Sequence, residues 1–514
     1  MSDRTSSGLT QAIYGLVVFV SAGCALVLEI VAGRLLAPYV GMSLYSWTAI
    51  IAVVLAGLSA GHWIGGRLAD SDASAQTGAV RTGYALLAAA VASLAVLVLL
   101  RMLAGPLLDG GLGALGGIIA LTSALFFLPS LFAGIVSPLV TKLAIDAEPL
   151  RTGAILGRMF ALGALGSIVG TLLAGYVLIS WIGSNGAVLS VAAVYTGLGL
   201  LMLRTRKVQA GVALGLILVA LAPLAALGTR LNAFASPCAV ESDYYCLRVV
   251  DFSPQSGRPS AVLVLDHLGH GINDRDEPRL LYSPYLQLTD MLVGERFGRD
   301  ALEAFYIGGG AYTLPRAWQA GNRDNRQLVA EIDPAVTALA RERLWFTPDD
   351  GIEVVHKDAR VAMRALPAEP RFHVIFGDAF HDITVPAHLV TREFHQEISK
   401  RLRQDGFYFV NVIESRDDPQ FLLALLNTLS RDFAHAEAWL DTRERGARVT
   451  YLVVASQTPL QRTSIQAGGM SGAFVRAYTA GDVEVQNALV LSDDFAPVDR
   501  LMAHILLRPK LNER

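Results

Sequence analysis

The sequence predicts a multi-pass α-helical membrane domain followed by a soluble α/β domain that begins with a small β-sheet. The 514-residue chain is 53% apolar and only 17% charged, well outside the average soluble composition. Its long apolar runs all lie before residue 232, and charge rises after that point. Strand-like runs then alternate with helical segments, as in a mostly parallel sheet with a hairpin at one edge. We therefore predict a membrane domain over 1–231, an antiparallel β subdomain over 232–285 and an α/β domain over 286–514.

Seven apolar runs support the membrane assignment, because each is near the ~20 residues that a bilayer-spanning helix needs. They occupy residues 12–32, 44–66, 83–103, 113–141, 154–182, 186–203 and 210–228. The first run is too long, and too closely followed by others, to be a removable signal peptide. We expect about seven spanning helices.

Two runs carry small residues four apart, a spacing that lets helices pack closely. These residues are Gly57, Gly61 and Gly65 in one run and Gly166, Gly170 and Ala174 in another. Glu29 is the one acid deep in an apolar run, and we favour a structural ion pair, with Arg34 or with a residue of another helix, over a transport role.

The basic residues of the short loops predict the orientation of the chain. The side of the N-terminus collects Arg4, Arg67, Arg81, Lys142, Arg151, Arg158, Arg204, Arg206 and Lys207, and the other side has Arg34, Arg101 and Arg230. The positive-inside rule makes the first side cytoplasmic. Seven spans then place the soluble domain outside, in the periplasm of a Gram-negative host, whereas one helix more or fewer reverses the side.

The cysteines and histidines indicate no metal site. Cys238 and Cys246 bracket a short segment after the last apolar run. They could form a disulfide, which would imply an oxidising compartment, or remain two buried thiols. The histidines have no usual ligand spacing. No Lys/Arg cluster suggests nucleic acid.

A glycine loop marks the ligand-binding part of the α/β domain. The apolar strand 305–307 runs into Gly308, Gly309 and Gly310, where glycine allows a tight turn and the close approach of a ligand. Glu331 and Asp333 follow the next apolar run, about 20 residues beyond, where an acid holds ribose hydroxyls in Rossmann-like sheets. The loop lacks the full dinucleotide spacing, so the pattern predicts a nucleoside site without naming the nucleoside.

The remaining elements place further acids at the same edge of the sheet. We predict strands at 327–331, 352–356, 372–377, 407–413, 434–440 and 448–455, with helices from 313 and at 334–344, 388–403 and 418–431. Asp358 follows the third strand and Asp378 the fourth. Any one acid could be a helix N-cap, and Asp333 before Pro334 is expected to be one. Four successive strands are followed by residues that could bind a ligand. This predicts a ligand-binding site, because ligands of such sheets bind at the carboxyl ends of the strands.

Taken together, these motifs resemble the spermidine synthase (polyamine aminopropyltransferase) superfamily. The glycine loop, Glu331-Ile332-Asp333, Asp358-Ala359-Arg360 and GDAFHDITVPAHLVTREF carry the resemblance. It spans residues 240–456, with LSDDFAPVDRL as a closing motif, and is greatest to bacterial members fused behind a membrane domain. It implies an S-adenosylmethionine-dependent methyltransferase-like fold and a location in the bacterial inner membrane.

The resemblance implies transfer of an aminopropyl group from decarboxylated S-adenosylmethionine to a polyamine, with release of methylthioadenosine. No cofactor is expected to be permanently bound. Gly308, Gly309 and Gly310 would cradle the donor, Glu331 would hold its ribose, and Asp358 with Ala359 its adenine. Asp378 would accept the amine proton, and Tyr282 would orient the reactants. These roles come from the resemblance alone.

Departures from the family pattern affect substrate recognition. Ala311 occupies the place of the aspartate that holds the donor's aminopropyl ammonium, which removes a charge-assisted bond worth roughly 1.5–3 kcal/mol. His270 replaces a glutamine; it could bind substrate or only fill that space. Asp382 is a displaced second acid for the substrate, and His381 is expected to have a surface or capping role.

Three functions are therefore open. The first is a membrane-anchored aminopropyltransferase; the second is a methyltransferase that uses intact S-adenosylmethionine; the third is a transporter or sensor that binds a polyamine or nucleoside without turnover. We expect a polyamine substrate and a lipid bilayer as partners, and leave open a homodimer and the identity of the acceptor amine.

Overall fold

The computed structural model describes residues 2–71, 74–204, 207–348, 351–380, 384–466 and 473–507. The chain divides into two compact units, Met1–Asp243 and Tyr244–Arg514. The first is helical and the second is an α/β unit, as predicted. The finer three-part division remains a prediction.

The helical unit is built from long apolar helices. In chain order these are α1 (Ser2–Val40), α2 (Leu44–Asp70), α3 (Ala75–Leu108), α4 (Gly113–Ala147), α5 (Thr152–Leu173), α6 (Ile179–Leu203) and α7 (Lys207–Arg230). A 3₁₀ turn, Pro149–Arg151, precedes α5, and a π-helical turn, Ala174–Leu178, joins α5 to α6.

Five segments of the described chain are long and apolar enough to cross a membrane. They are Gly8–Val40, Leu44–Asp70, Ala75–Leu108, Gly113–Ala147 and Pro149–Leu203. The last segment contains both α5 and α6. Helix α6 is bent at Gly183, which has a φ of 71°. These segments have the length and composition of membrane-spanning helices, while the seven-span topology and the side of the α/β unit stay predictions.

The small residues of α2 allow close packing, as predicted. A Cβ added at Gly57 would lie 2.7 Å from the carbonyl oxygen of Phe127, and one at Gly65 would lie 2.7 Å from that of Ile135. Both neighbours belong to α4. The two backbones can approach this closely only because no side chain separates them.

α5 packs on α1 in the same way. A Cβ at Gly166 would collide with the carbonyl oxygen of Phe19, and one at Gly170 with that of Gly23. The helix-packing prediction is therefore confirmed for both glycine stripes.

The predicted Glu29–Arg34 ion pair is wrong. In the described part of the chain no hydrogen bond or ion pair joins Glu29 to Arg34, and Arg34 Nη2 donates to the carbonyl oxygen of Ser242 at 2.5 Å. Arg34 lies near the end of α1, where the chain that follows α7 supplies carbonyl acceptors, and this competes with a neighbour on its own helix. Cys238 and Cys246 form a disulfide, and Cys24 is a buried free thiol.

The strands follow in chain order. They are β1 (Val240–Glu241), β2 (Cys246–Asp251), β3 (Ser260–Leu265), β4 (Leu268–Asp274), β5 (Glu303–Ile307), β6 (Arg326–Ala330), β7 (Ile352–Val355), β8 (Phe372–Gly377), β9 (Leu402–Ser415), β10 (His435–Asp441), β11 (Arg448–Ser456), β12 (Ser464–Gln466) and β13 (Ala473–Thr479).

The helices of the α/β unit are shorter. They are α8 (Ser253–Ser256), α9 (Pro284–Phe297), α10 (Thr313–Gly321), α11 (Pro334–Arg343), α12 (Ala359–Arg364), α13 (Arg392–Arg401), α14 (Gln420–Leu429), α15 (Val483–Gln486), α16 (Val498–Leu501) and α17 (Ala503–Leu507). A 3₁₀ turn, Ala387–Leu389, precedes α13.

Two sheets organise this unit. Antiparallel pairing joins β2 to β3 and β3 to β4, which confirms the small sheet. The large sheet has the order β12-β13-β10-β11-β9-β8-β5-β6-β7. Strands β7, β6, β5, β8 and β9 are parallel, and the rest are antiparallel. The antiparallel part exceeds the predicted hairpin because β12 and β13 extend it.

Both faces of the large sheet are covered by apolar packing. Phe305 and Ile307 of β5 join one buried cluster, whereas Ala304 and Tyr306 join the other. This alternation follows from the two-residue period of a strand. It explains why the parallel strands read as continuous apolar runs in the sequence.

We expect replacement of Gly170 by leucine to destabilise the helical unit, because the new side chain must displace the α1 backbone at Gly23. Overpacking of this kind costs at least roughly 1–3 kcal/mol. Thermal unfolding of the purified protein in detergent measures the effect. Gly153→Leu is the control, since a Cβ there has no neighbour within 4 Å. Equal melting temperatures of the two variants would contradict the close α1–α5 packing.

Candidate functional site

Four parallel strands end side by side at one edge of the large sheet. In the register of the sheet, Gly377 of β8 pairs with Ile307 of β5, Ile307 with Ala330 of β6, and Ala330 with Val355 of β7. The glycine loop, Glu331, Asp358 and Asp378 follow these ends. The structure therefore brings together the strand-end residues that the sequence singled out, at the edge where such sheets bind ligands.

The glycine loop passes close to the loop after β8 and to strand β4. Gly308 has a φ of 94°, and a Cβ there would lie 2.8 Å from the carbonyl oxygen of Asp378. Gly310 has a φ of 50°, and a Cβ there would lie 3.2 Å from the carbonyl oxygen of His270. These positions require glycine for both conformation and space. The loop is thus fitted against Asp378 on one side and His270 on the other.

Glu331 anchors this loop from the neighbouring strand. Its carboxylate is 6% exposed and accepts the Gly309 N–H at 2.8 Å and the Asp333 N–H at 2.9 Å. Burial raises the pKa of Glu331, while these backbone hydrogen bonds oppose the rise. A carboxylate has about four acceptor sites, so capacity remains for a ligand hydroxyl. Asp333 accepts the Ala335 N–H at 2.9 Å, which confirms it as the N-cap of α11.

Asp378 is held at both carboxylate oxygens. Asn411 Nδ2 donates to Oδ1 at 2.8 Å, and the Tyr285 hydroxyl donates to Oδ2 at 3.0 Å. Burial raises the pKa of Asp378 to about 6, although the hydrogen bonds from Asn411 and Tyr285 act to lower it. At pH 7 the group is mostly ionised yet can readily accept a proton. This is the arrangement of a fixed general base.

Tyr282 has a different partner. Its hydroxyl donates to Asp274 Oδ2 at 3.0 Å, and Arg258 Nε donates to the same oxygen at 2.8 Å. Tyr285, which the sequence analysis did not single out, is the tyrosine at Asp378. The sequence does contain a signal for the position of Tyr285: Ser283 followed by Pro284 is typical of the start of a helix. They begin α9 and thereby set the direction of Tyr285.

Asp358 and Ala359 begin α12. Asp358 Oδ1 accepts the N–H groups of Arg360 at 2.9 Å and Val361 at 3.1 Å, so it is a helix N-cap as well as a candidate ligand group. Its other oxygen, Oδ2, lies 2.8 Å from His388 Nε2. Ala359 is buried beside it. The capping bonds occupy Oδ1 and His388 lies at Oδ2, so a ligand can use the second lone pair of Oδ2 and the backbone of Ala359.

The closing motif is attached at the same place. Asp493 accepts two hydrogen bonds from Arg360, at 2.7 Å from Nη1 and 2.6 Å from Nη2, and one from the Thr391 hydroxyl at 2.7 Å. The bidentate bond from Arg360 lowers the pKa of Asp493 to about 2. The LSDDFAPVDRL segment thus holds the start of α12, although more than a hundred residues separate Asp493 from Arg360 in the sequence.

The substrate residues proposed from the resemblance are only partly described. The His270 ring lies 6.1 Å from that of Phe380. Burial, helped by the charge of His267, lowers the pKa of His270 to about 4, so its imidazole is neutral at pH 7. Asp382 and His381 lie outside the described residues.

Ala311 is enclosed by protein. It is 2% exposed, and a Cβ added at Gly271 would lie 2.7 Å from the Ala311 Cβ. Asn273 Nδ2 donates to the Ala311 carbonyl oxygen at 2.8 Å, which ties the loop to β4. The methyl group of Ala311 therefore packs against β4 and offers no charge to a ligand.

Comparisons with known proteins give one curated relative. No family model matches the chain. The polyamine aminopropyltransferase of Vibrio vulnificus (strain CMCP6) is 25% identical over 240 residues, which are 44% of this chain and 77% of that protein.

The chain is also similar to solved structures that are named spermidine synthases. A probable spermidine synthase from Corynebacterium glutamicum ATCC 13032 has a TM-score of 0.44 and 17% identity, over 51% of this chain and 99% of that one. The spermidine synthase from Thermotoga maritima has a TM-score of 0.31 and 23% identity, over 38% of this chain and 66% of that one.

Proposed function

We propose that this chain, a spermidine synthase-like superfamily member, is a membrane-anchored transferase that moves an aminopropyl group from decarboxylated S-adenosylmethionine to a polyamine. The observation that carries the proposal is Asp378, a buried carboxylate with a pKa of about 6 that lies against the glycine loop. The curated relative, named a polyamine aminopropyltransferase, supports the choice of reaction.

The strand ends provide the donor site in this proposal. Gly308, Gly309 and Gly310 leave the backbone open to the nucleoside, and Glu331 accepts hydrogen bonds from the ribose hydroxyls. Asp358 and Ala359 receive the adenine. The donor is a co-substrate that leaves as product, so no permanently bound cofactor is needed.

The chemical step is a nucleophilic displacement. The amine nitrogen attacks the methylene carbon next to the sulfonium, the N–C bond forms, and the C–S bond breaks with its electron pair retained by sulfur. Neutral methylthioadenosine leaves. Asp378 accepts the proton that the amine loses, and Tyr285 and Asn411 hold the carboxylate in position. Burial of the carboxylate strengthens its attraction for the cationic reactants.

The acceptor amine is assigned to the loops next to Asp378. His270 and Asp382 are the proposed contacts, with Tyr282 as an orienting group that acts through Asp274. A neutral imidazole at His270 can accept a hydrogen bond from an ammonium without repelling it.

A second candidate function is transfer of a methyl group from intact S-adenosylmethionine. Ala311 favours it, because the buried methyl group at this position offers no carboxylate to the aminopropyl ammonium of a decarboxylated donor. The two candidates share the nucleoside site and Asp378, and differ in the donor and in the sulfur-containing product.

Incubation of the purified full-length protein with putrescine or spermidine and each donor separates the two functions. We expect methylthioadenosine and a longer polyamine from the decarboxylated donor, and at least a hundredfold loss of rate in Asp378→Asn because the base is absent. Chromatography with mass detection identifies the products. S-adenosylhomocysteine formed from the intact donor would instead establish the second candidate. No product from either donor with any di- or polyamine would refute both.

The pH dependence of the rate reports on the proposed base. Asp378 works when ionised, so kcat/KM should fall about tenfold for each pH unit below about 6. Tyr285→Phe removes a hydrogen bond that favours the ionised form, and should move this acid limb to higher pH. Tyr282→Phe is the matched control, because its hydroxyl donates to Asp274. An acid limb that is unchanged in Tyr285→Phe would contradict the role of Asp378.

We further propose that the helical unit lies in a bacterial inner membrane with the α/β unit on the periplasmic side. The excess of basic residues in the opposite loops and the Cys238–Cys246 disulfide support this side.

A membrane-impermeant maleimide tests the side in intact spheroplasts of cells that express Cys24→Ser. We expect labelling of Cys238 and Cys246 only after a reducing agent is added to the medium, because the disulfide must be opened first. Labelling without reduction, or only after lysis, would overturn the assignment. A variant with all three cysteines replaced gives the background.

A further inference from the structure

Strand β4 of the small sheet runs alongside the glycine loop. A Cβ added at Gly310 would lie 3.2 Å from the carbonyl oxygen of His270, and one added at Gly271 would lie 2.7 Å from the Cβ of Ala311. Asn273, further along β4, donates a hydrogen bond to the carbonyl oxygen of Ala311. The loop is therefore supported along one side by a strand that belongs to the other sheet.

Asn273 joins β4 to two other parts of the α/β unit. Its Nδ2 donates to the carbonyl oxygens of Ala311 at 2.8 Å and Leu344 at 3.0 Å. Its Oδ1 accepts the hydroxyl of Thr313, the first residue of α10, at 2.8 Å. Asn273 is 1% exposed, so its side chain does not touch a ligand. Its hydrogen bonds instead fix the backbone where the glycine loop enters α10.

The bond to Leu344 supports the glycine loop by a second route. Phe346 follows in the same segment, and its ring stacks on that of Tyr312 with centroids 4.0 Å apart and planes 13° apart. The Tyr312 ring lies against Gly309, where an added Cβ would be 2.6 Å from the tyrosine Cζ. Asn273 therefore acts on the loop directly and also through the segment that places Phe346.

The glycine loop depends on such contacts because of its backbone conformation. Gly308, Gly310 and Tyr312 have φ values of 94°, 50° and 56°. Glycine adopts positive φ readily, whereas a residue with a bulky side chain does so at a cost in energy. Such a conformation persists only where the surrounding structure fixes it. The loop backbone that faces a ligand is consequently set by the groups packed behind it.

We propose that Asn273 is a positioning residue of the donor site, which sets the geometry of the glycine loop without touching the donor. The inference rests on the proposed function for the place of the nucleoside, at the glycine loop and Glu331. Both candidate donors share that place, so the role of Asn273 is the same for either. The acceptor amine is assigned to the loops next to Asp378, and its binding depends less on Asn273.

The chain contains a matched control for this role. Asn325 is 3% exposed, its Oδ1 accepts the Leu302 N–H at 2.8 Å, and its Nδ2 donates to the Trp318 carbonyl oxygen at 2.8 Å. It is thus another buried asparagine that bonds to α10 and to a neighbouring segment. Its bonds lie where β5 and β6 begin, however, at the opposite end of these strands from the glycine loop.

Calorimetry with methylthioadenosine and S-adenosylhomocysteine measures nucleoside binding by the full-length protein in detergent and requires no turnover. We expect Asn273→Ala to weaken nucleoside binding about tenfold or more, because a small displacement of the loop disturbs the whole site. Asn325→Ala should lower the melting temperature to a similar extent and leave nucleoside affinity unchanged. In rate measurements Asn273→Ala should raise the KM of the donor and leave that of the polyamine nearly unchanged.

Thr313→Val is a milder second variant, which decides the question even where Asn273→Ala fails to fold. It keeps the shape of the side chain and removes only the hydroxyl that orients the Asn273 amide. We expect a smaller loss of nucleoside affinity in the same direction.

Three results would overturn the inference. Wild-type nucleoside affinity in both Asn273→Ala and Thr313→Val would do so while leaving the proposed function intact. An equal loss of affinity in Asn325→Ala would show that Asn273 serves stability alone. A wild-type protein that binds neither nucleoside would refute the donor site itself, and the role of Asn273 with it.

Discussion

The candidate site depends on the buried carboxylate of Glu331, which fixes the ends of two neighbouring strands. It binds the Gly309 N–H after β5 and the Asp333 N–H after β6, so one side chain sets both turns. A buried charge is tolerated only while such donors point at it. The glycine loop can consequently keep its left-handed residues in place and pass closely over the chain at Asp378. Glu331 and Asp378 are therefore connected through the glycine loop, which is bonded to the first and passes close to the second.

Much of this edge could be predicted from the sequence because the strands are buried on both faces. Phe305, Tyr306 and Ile307 are all apolar for that reason, and they direct attention to the glycines that follow. Asp358 and Asp378 were found by the same rule, since a parallel strand delivers its next residues to one edge. The antiparallel strand β13 was missed because its apolar residues are interrupted by Arg476, and its partner β12 is short.

Side-chain directions in the loops could not be predicted in this way. Tyr282 and Tyr285 are three residues apart, and only the start of α9 between them decides which one reaches Asp378. Asn411 lies inside a strand and carries no motif of its own, yet it shares the carboxylate with Tyr285. Ala311 was recognised as a change of residue, but its enclosure by Gly271 is a property of the packed β4. Pairing across the fold, as between Arg360 and Asp493, likewise has no local signal.

The bend of α6 has a consequence for the biosynthesis of the chain. Its second half starts at Ser184, and the cap for this start comes from Glu241, 57 residues later in the sequence. The ribosome must therefore synthesise α7 and the chain as far as Glu241 before α6 can adopt its final form. Until then the N–H of Ser184 lacks its acceptor inside an apolar bundle, which is unfavourable. The helical unit is thus completed only when synthesis has passed Glu241, at the end of this unit, so α6 cannot finish folding as soon as it is made.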